Sequence, residues 1–273
     1  MGIDITITSR RNARVLEARK LKRRSFREER GKFLLEGIRG IEDAVSTGAR
    51  IHEVLISPYL FRSARGQALY EKLVTLGAEL YGVTEEVLEY VADTDTPQGV
   101  VAIVGIPNGE LRPGGFPLVI IANEVRDPGN LGTLIRSADA FGLAGVVLSG
   151  DVVDPFNPKC VRATMGSILR VPIRSFRDVK EAAEFLKEQG FSIVAADVEA
   201  DKLCYDYHFP EKCALLVGSE AHGVSCNVLE LCDATLKIPM MGAAESLNVG
   251  VAGSILMYEA YRQRQSRQPD LIT

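Results

Sequence analysis

The second half of the chain alternates short, continuously apolar runs with segments of helical periodicity. Apolar runs of four or five residues between turn signals are typical of strands buried on both faces, as in parallel sheets covered by helices. We expect strands at residues 118–122, 145–148, 192–196 and 214–217, and helices at residues 130–141, 179–189 and 247–264. The alternation predicts an α/β domain built on a parallel sheet with helices on both faces.

The first hundred residues show the same alternation over shorter lengths. We expect strands at residues 33–35, 52–57, 79–82 and 100–106, and helices at residues 12–30, 38–45, 64–76 and 84–91. Residues 107–117 contain three prolines and three glycines without apolar periodicity, a composition typical of a linker. The predicted organisation is a smaller α/β domain at 1–106, a linker at 107–117, a second domain at 118–266 and a tail at 267–273.

Charge is distributed unevenly along the chain. The formal net charge is −4, which argues against nucleic-acid binding over the whole surface. Between Arg10 and Arg30, however, ten basic residues stand against three acidic ones. Such a local cluster suits the phosphates of a nucleic acid, and the candidate contacts are Arg10, Arg11, Arg14, Arg23 and Arg24. Aromatic residues make up 7% and tryptophan is absent, so we expect recognition of any bound nucleic acid by phosphate contact and shape instead of base stacking.

Several classes of protein are not favoured. The five cysteines form no CxxC pair and the three histidines have no metal-ligand spacing, so we expect neither disulfides nor a metal. The apolar runs are shorter than a membrane span, and the start of the chain lacks the apolar stretch of a secretory signal. We therefore expect a cytoplasmic protein without a membrane segment.

Three glycine-marked segments carry the candidate chemistry. The first, at residues 123–142, runs from a strand through a polar turn into a helix and contains Asn130 and Arg136. Groups at such a turn lie at the carboxyl edge of a parallel sheet, where ligands bind in open α/β folds. Taken alone, Asn130 also fits a helix cap, and Arg136 fits an exposed or ion-paired surface side chain.

The second segment, at residues 215–224, places a carboxylate between two glycines after a buried strand. Gly218 and Gly223 flank Glu220, and glycines permit a ligand to approach the backbone closely. An ordinary connection after a strand is the alternative, with His222 as a polar loop residue.

The third segment, at residues 238–252, runs from Ile238 through Met240 and a glycine turn to a helix of small residues. Ser246 stands at a plausible N-cap of that helix, and Asn248 follows two residues later. A cap followed by a packed helix would explain this segment equally well on its own.

Together, the three segments resemble in type and order the signature motifs of the SpoU/TrmH family of RNA 2′-O-methyltransferases. The strings are Asn…Asn130…Arg136, Gly218-x-Glu220-x-x-Gly223 and Ile238-Pro-Met240-x-Gly-x-x-x-Ser246-Leu247-Asn248-Val. The stretch 162–170 between them is also similar to the family. Three positions in two of the motifs differ from the common pattern. Ser219 and Ala221 replace an Asn and a Gly beside Glu220, and Gly250 replaces a serine.

The resemblance implies fold, activity and partners. The fold implied is a SPOUT-class α/β domain with a deep trefoil knot, and residues 1–106 look like the family's RNA substrate domain, similar to ribosomal-protein folds. The activity implied is S-adenosyl-L-methionine-dependent 2′-O-methylation of RNA by a homodimer. The catalytic set implied is Asn130, Arg136, Glu220, Ser246 and Asn248. The cofactor set implied is Gly218, Ile238, Met240 and Leu247.

A mechanism follows as an expectation. Arg136 contacts the target nucleotide near its phosphate and 2′-hydroxyl, because an arginine is too weak a base to serve as a proton acceptor. Asn130, Ser246 and Asn248 hold Arg136 and the nucleotide, while Glu220 orients Arg136 or its own loop.

The substrate expected is a nucleotide of large-subunit ribosomal RNA, because the family's transfer-RNA enzymes commonly carry short helical extensions instead of the first domain. The alternatives are a transfer-RNA methyltransferase and a non-catalytic RNA-binding ribosome-assembly protein. A nucleotide-dependent oxidoreductase is not favoured, since residues 118–142 lack GxGxxG after the strand.

Overall fold

The structure is a computed structural model that describes residues 6–112 and 116–267. Its contacts divide the chain into two compact units. Unit 1 comprises residues 1–107 and 156–170, and unit 2 comprises residues 108–155 and 171–273. The predicted tail at 267–273 lies outside the described residues except for Arg267.

Unit 1 is built on a five-stranded mixed sheet in the described residues, with strand order β1-β4-β3-β5-β2. Its strands are β1 (Thr6–Ile7), β2 (Lys32–Glu36), β3 (Ile51–Ile56), β4 (Glu79–Val83) and β5 (Val100–Gly105). The helices in residues 6–107 of this unit are α1 (Ala13–Lys20), α2 (Arg24–Arg30), α3 (Ile38–Ser46), α4 (Ala64–Leu76) and α5 (Glu85–Val91). Strands β1, β4 and β3 run parallel where they pair, and β5 is antiparallel to both neighbours.

Alternate side chains of the unit 1 strands pack on opposite faces of the sheet. Leu34 joins Val15 of α1 and Leu88 of α5 in one apolar cluster. The side chain of the next residue, Leu35, lies on the opposite face of the sheet. Helix α3 packs on that face, so closely that a Cβ at Gly40 would press on the Leu35 side chain. Both faces of this small sheet are therefore covered by helices.

Unit 2 is built on six parallel strands in the described residues, in the order β11-β9-β10-β6-β7-β8. The strands are β6 (Phe116–Asn123), β7 (Leu143–Ser149), β8 (Ile173–Phe176), β9 (Ser192–Ala196), β10 (Cys213–Val217) and β11 (Ala234–Leu236). The helices are α6 (Pro128–Ala140), α8 (Val179–Glu188), α9 (Cys226–Leu229) and α10 (Val249–Arg267), while α7 (Pro158–Thr164) packs with unit 1. The predicted parallel sheet is confirmed.

Helices cover both faces of this sheet as well. Gly253 of α10 lies against Leu134 of α6 and reaches Ile120 of β6, and a Cβ at this glycine would overlap the Leu134 side chain. On the opposite face, Ile121 belongs to the cluster that contains Leu186 of α8. The central strands are fully buried, which leaves the carboxyl edge of the sheet and its loops for ligands.

The structure differs from the expected organisation at residues 156–170. The sequence pattern predicts these residues in the second domain, yet Phe156 packs against Phe33 with ring centroids 5.0 Å apart and Arg162 forms an ion pair with Asp93. A domain boundary read along the sequence assigns neighbouring residues to one domain, so it could not predict contacts between residues this far apart in the chain. The expected helix at 12–30 is also two helices, which separate at residues 21–23.

Within residues 6–112 and 116–267, no helix is both long and apolar enough to cross a membrane. The same residues contain no group of three His, Cys, Asp or Glu side chains that could hold a metal ion.

Candidate active site

Three loops follow strands of unit 2 at the carboxyl edge of the sheet. One connects β6 to α6, one follows β10, and one follows β11 and leads into α10. Because β6 and β10 are neighbours in the sheet, their loops emerge side by side. The three candidate motifs of the sequence therefore meet at one edge.

The first turn of α6 is capped by Asp127. Its Oδ1 accepts hydrogen bonds from the backbone amides of Gly129 and Asn130, at 2.8 and 2.9 Å. Asp127 is therefore the N-cap of α6, and the alternative role of Asn130 as a helix cap does not apply. Its side chain is available for contacts outside the helix.

The loop after β10 closes on itself as a small hairpin. Ser219 and Gly223 exchange both backbone hydrogen bonds, with N···O distances of 3.0 and 2.9 Å. Gly218 is required for this closure, since a Cβ there would overlap the carbonyl group of Gly223. The hairpin presents Glu220 at its tip, while His222 is exposed and its amide donates to Ser219 Oγ.

Glu220 is the acceptor at the centre of the site. Its Oε1 accepts from the Asn130 side-chain amide at 2.9 Å and from the Asp127 backbone amide at 3.1 Å. Its Oε2 accepts from the Arg126 backbone amide at 3.2 Å. Partial burial pushes the pKa of Glu220 upward, but the hydrogen bonds, led by that from Asn130, outweigh it and hold this pKa below its ordinary value. Glu220 is therefore the ionised partner of the β6–α6 loop.

Asn248 links the third loop to the other two. Its Nδ2 donates to Asn130 Oδ1 at 2.8 Å, and its Oδ1 accepts from the amides of Gly250 and Val251 at the start of α10. Asn248 is thus the side chain that caps α10, and the expectation that Ser246 occupies the N-cap is wrong. Residues Glu220, Asn130 and Asn248 form one chain of hydrogen bonds, called here the Glu220–Asn130–Asn248 network.

Arg136 forms no hydrogen bond with this network. It is exposed on α6, and no described residue forms a hydrogen bond or ion pair with its side chain. The expectation that Asn130 and Asn248 hold Arg136 is not met in this structure, because their amides are used by each other and by Glu220. Of the two roles considered for Glu220, the contacts favour orienting the loops over orienting Arg136.

A cavity of about 760 Å³ lies beside the network. Its lining includes all four predicted cofactor residues, Gly218, Ile238, Met240 and Leu247, and also Glu220, Ser246 and Asn248. This volume falls within the range of pockets that bind small molecules and cofactors. The individual roles of these residues stay predictions.

Sequence reasoning missed two acidic residues at this cavity. Asp197 and Glu199 follow β9 and line the same cavity as the hairpin loop. Their position directly after a predicted strand was the available signal, because the neighbouring strands β9 and β10 end at the same edge.

The five candidate RNA-binding arginines fall into two groups in unit 1. Arg14 is paired with Glu53 at 2.9 Å and lies over the Tyr81 ring, and Arg24 is paired with Glu28 at 2.8 Å. Arg10, Arg11 and Arg23 are exposed and form no ion pair with a described residue. Arg27, from the same basic run, is buried and donates to the carbonyl oxygen of Leu21, so its role is structural.

Comparison with known proteins decides the family. Residues 117–258 match the model of the SpoU rRNA Methylase family, and residues 12–102 match the model of the MRM3-like substrate binding domain. The chain belongs to the SpoU rRNA methylase family. The match includes the strands of unit 2, apart from Phe116 of β6, and the three loops of the site.

Relatives of this SpoU protein match over nearly its whole length. The 23S rRNA (guanosine(2553)-2′-O)-methyltransferase RlmP of Bacillus subtilis is 33% identical over 92% of this chain and 97% of its own. The 23S rRNA (uridine(2479)-2′-O)-methyltransferase of Streptomyces viridochromogenes is 34% identical over 95% of this chain and 93% of its own. The crystal structure of the SpoU methyltransferase AviRb from the same organism, in complex with AdoMet, superposes with a TM-score of 0.86 at 31% identity, covering 94% of this chain and 99% of that one.

Proposed function

We propose that this SpoU protein transfers a methyl group from S-adenosyl-L-methionine to a ribose 2′-hydroxyl of large-subunit ribosomal RNA. Family membership and two relatives that are named as 23S rRNA 2′-O-methyltransferases support the reaction and the RNA class. The observation that carries the proposal is the Glu220–Asn130–Asn248 network, which joins three family motifs beside one large cavity.

The residues of the cavity fit the cofactor. Ile238 and Leu247 offer apolar contacts for an adenine ring, and the carboxylates of Asp197 and Glu199 are acceptors suited to ribose hydroxyls. When bound, S-adenosyl-L-methionine supplies a methyl group on a sulfonium, which is open to in-line attack. The AdoMet complex of the similar AviRb structure supports this cofactor.

The protein's task in such a displacement is to position two substrates, and positioning can supply much of the rate. The network fixes the relative placement of the β6–α6, β10 and α10 loops. Arg136, exposed on the same helix that begins at the network, anchors the phosphate or stabilises the developing alkoxide of the target nucleotide. In this scheme Ser246, exposed at the cavity, contacts substrate and does not cap a helix.

The protein is proposed to act as a homodimer. Val251 and Tyr258 expose apolar surface along α10, and Arg136 is exposed on the adjacent α6, so a second copy could cover this face and complete the site. Sedimentation velocity would test it, with a dimer expected and a monomer contradicting it. The trefoil knot implied by the family resemblance stays a prediction.

Tritium transfer from labelled cofactor to separate samples of 23S rRNA, 16S rRNA and transfer RNA tests the substrate class. Labelling confined to 23S rRNA is expected. Transfer RNA labelling would favour the transfer-RNA enzyme. Cofactor binding without transfer to naked 23S rRNA or to assembled large subunits would favour the non-catalytic RNA-binding protein.

A further inference from the structure

A short turn after β3 in unit 1 presents two aromatic side chains to solvent. The turn, a 3₁₀ helix at Pro58–Arg62, exposes 44% of Tyr59 and 41% of Phe61. Leu60 between them is only 1% exposed and anchors the turn in the core. The buried leucine thus holds two partly exposed aromatic rings at the surface, where a partner can contact them.

The turn is held rigidly. A Cβ at Gly66 would overlap the carbonyl oxygen of Leu60, and a Cβ at Gly99 would overlap its backbone nitrogen. The glycines therefore let α4 and the start of β5 close on both sides of the Leu60 backbone. Ser63 further fixes the exit of the turn, because its Oγ accepts from the Gly66 amide at 3.0 Å. Rings on such a turn are pre-organised, which lowers the entropy lost on binding.

A cationic group lies directly beside these rings. The Arg62 guanidinium lies over the Tyr59 ring, 4.7 Å from its centroid. Arg62 also forms an ion pair with Glu85 at 3.1 Å, and both side chains of this pair are exposed. Exposed ion pairs contribute little, so an RNA phosphate can compete for Arg62. Phe61 keeps an edge contact with Tyr70, with centroids 5.2 Å apart at 77°, which orients its ring.

Sheet topology places the basic loop after β1 on the same edge. Strands β1, β4 and β3 are parallel neighbours, so their carboxyl ends lie together. The loop after β1 carries Arg10 and Arg11, two strand spacings or about 10 Å from the end of β3. One edge of unit 1 thus combines exposed arginines with exposed aromatic rings.

We propose that Tyr59 and Phe61 form a stacking platform for unpaired bases of the substrate RNA, with Arg62, Arg10 and Arg11 contacting its phosphates. Aromatic rings beside cations are the elements by which proteins hold single-stranded nucleic acid. The sequence predicted recognition by phosphate contact and RNA shape without base stacking, because aromatic residues are few, but their placement matters more than their number. This inference rests on the proposed RNA substrate and extends it to unpaired segments.

The absence of tryptophan in the chain permits a direct test. In the full-length Tyr59→Trp variant, the single tryptophan reports on this turn, and Tyr205→Trp, at a residue 51% exposed in unit 2, is the matched control. A fluorescein-labelled oligouridine and a short RNA duplex are the probes. We expect oligouridine to quench the fluorescence of the Tyr59→Trp variant and not that of Tyr205→Trp, and the duplex to quench neither strongly.

Affinity provides the second readout. Tyr59→Ala and Phe61→Leu, which keeps apolar volume but removes the ring, are each expected to weaken oligouridine binding about tenfold, the size of one lost base stack, while Tyr205→Ala has no effect. Oligouridine that binds the Tyr59→Trp variant by anisotropy without quenching its tryptophan would overturn the platform and leave the RNA function intact. No binding of either RNA to the unaltered protein would overturn both. A change of oligomeric state in Tyr59→Ala would instead assign the rings to a protein interface and overturn the proposal.

Discussion

Asn248 Nδ2 donates a hydrogen bond of 2.8 Å to Asn130 Oδ1 across 118 residues of sequence. The side-chain amide of Asn130 donates in turn to Glu220, and Glu220 also accepts hydrogen bonds from two backbone amides of the β6–α6 loop. Each side chain of the network is thus oriented by its neighbour. Removing one partner should disturb all three loops beside the cavity.

Replacing Asn130 by Asp is the sharpest perturbation of the network. The change keeps the shape but sets a carboxylate against Glu220 Oε1, which now accepts from the Asn130 amide at 2.9 Å. We expect methyl transfer to fall by about 10- to 150-fold, the equivalent of roughly 1.5–3 kcal/mol for a hydrogen bond to a charged group. The double variant Asn130→Asp with Glu220→Gln should recover part of the loss, because the new amide can donate to the new carboxylate. Strictly additive losses would show that the two residues are not coupled.

Arg136→Ala should abolish methyl transfer and leave cofactor affinity unchanged. Arg136 is exposed and does not line the cavity, so its loss removes a contact with RNA and none with the cofactor. Arg136→Lys should retain only a small part of the rate, because a lysine cannot form a bidentate contact. Calorimetry with S-adenosyl-L-methionine and transfer assays would separate the two effects, and an unchanged rate in Arg136→Lys would refute bidentate anchoring.

At low pH, cofactor affinity should fall as Glu220 becomes protonated. The pKa of Glu220 is lowered in the folded protein, so its contribution to the stability of the site is present above the ordinary pKa of about 4.3 and is lost as pH falls through the lower folded value. Asn130→Ala removes the hydrogen bond that lowers this pKa most, so the titration should move upward. Carboxyl NMR of Glu220 would measure both values, and an identical midpoint in the variant would contradict the assignment.

Gly218→Ala should disrupt the hairpin loop, whereas Gly242→Ala should be tolerated. A Cβ at 218 overlaps the Gly223 carbonyl group, while a Cβ at 242 meets no atom within 4 Å among the described residues. Overpacking of this kind costs about 1–3 kcal/mol, so cofactor affinity should fall about 5- to 150-fold in the first variant only. Equal affinities in isothermal titration of the two variants would contradict the role given to the loop closure.

RNA binding should depend on the arginines without ion pairs. Arg11→Ala with Arg23→Ala should weaken RNA binding and reduce the slope of log affinity against log salt by about two, since each phosphate contact contributes close to one. Arg14→Ala should have a smaller effect, because Glu53 already pairs with this guanidinium. Filter binding over a salt series would test the comparison, and equal slopes in both variants would contradict it.

The sequence predicted the architecture well where hydrophobic pattern determines it. The strand at 192–196 and the helix at 64–76 match the structure residue for residue, since burial imposes their periodicity. The short strands β1 and β8 were missed, because a few residues at the margin of a sheet carry little pattern. Packing of Phe156 on Phe33 depends on contacts between distant residues that periodicity does not encode.

The candidate site was predicted in its composition but not in its connections. The glycine-marked segments and their resemblance to a family singled out Asn130, Glu220 and Asn248, which the structure brings together. Which residue caps each helix was not predictable, since Asp127 and Asn130, like Ser246 and Asn248, are chemically similar candidates a few residues apart. That Arg136 forms no hydrogen bond with the network likewise could not be predicted, because the motifs do not specify which side chains bond to one another.

The most direct test of the account is mass spectrometry of nucleosides released from 23S rRNA after incubation with this protein and S-adenosyl-L-methionine. We predict one 2′-O-methylated nucleoside above background, absent with Arg136→Ala and strongly reduced with Asn130→Asp. A base-methylated nucleoside, or a 2′-O-methylated product formed equally by all three proteins, would contradict it.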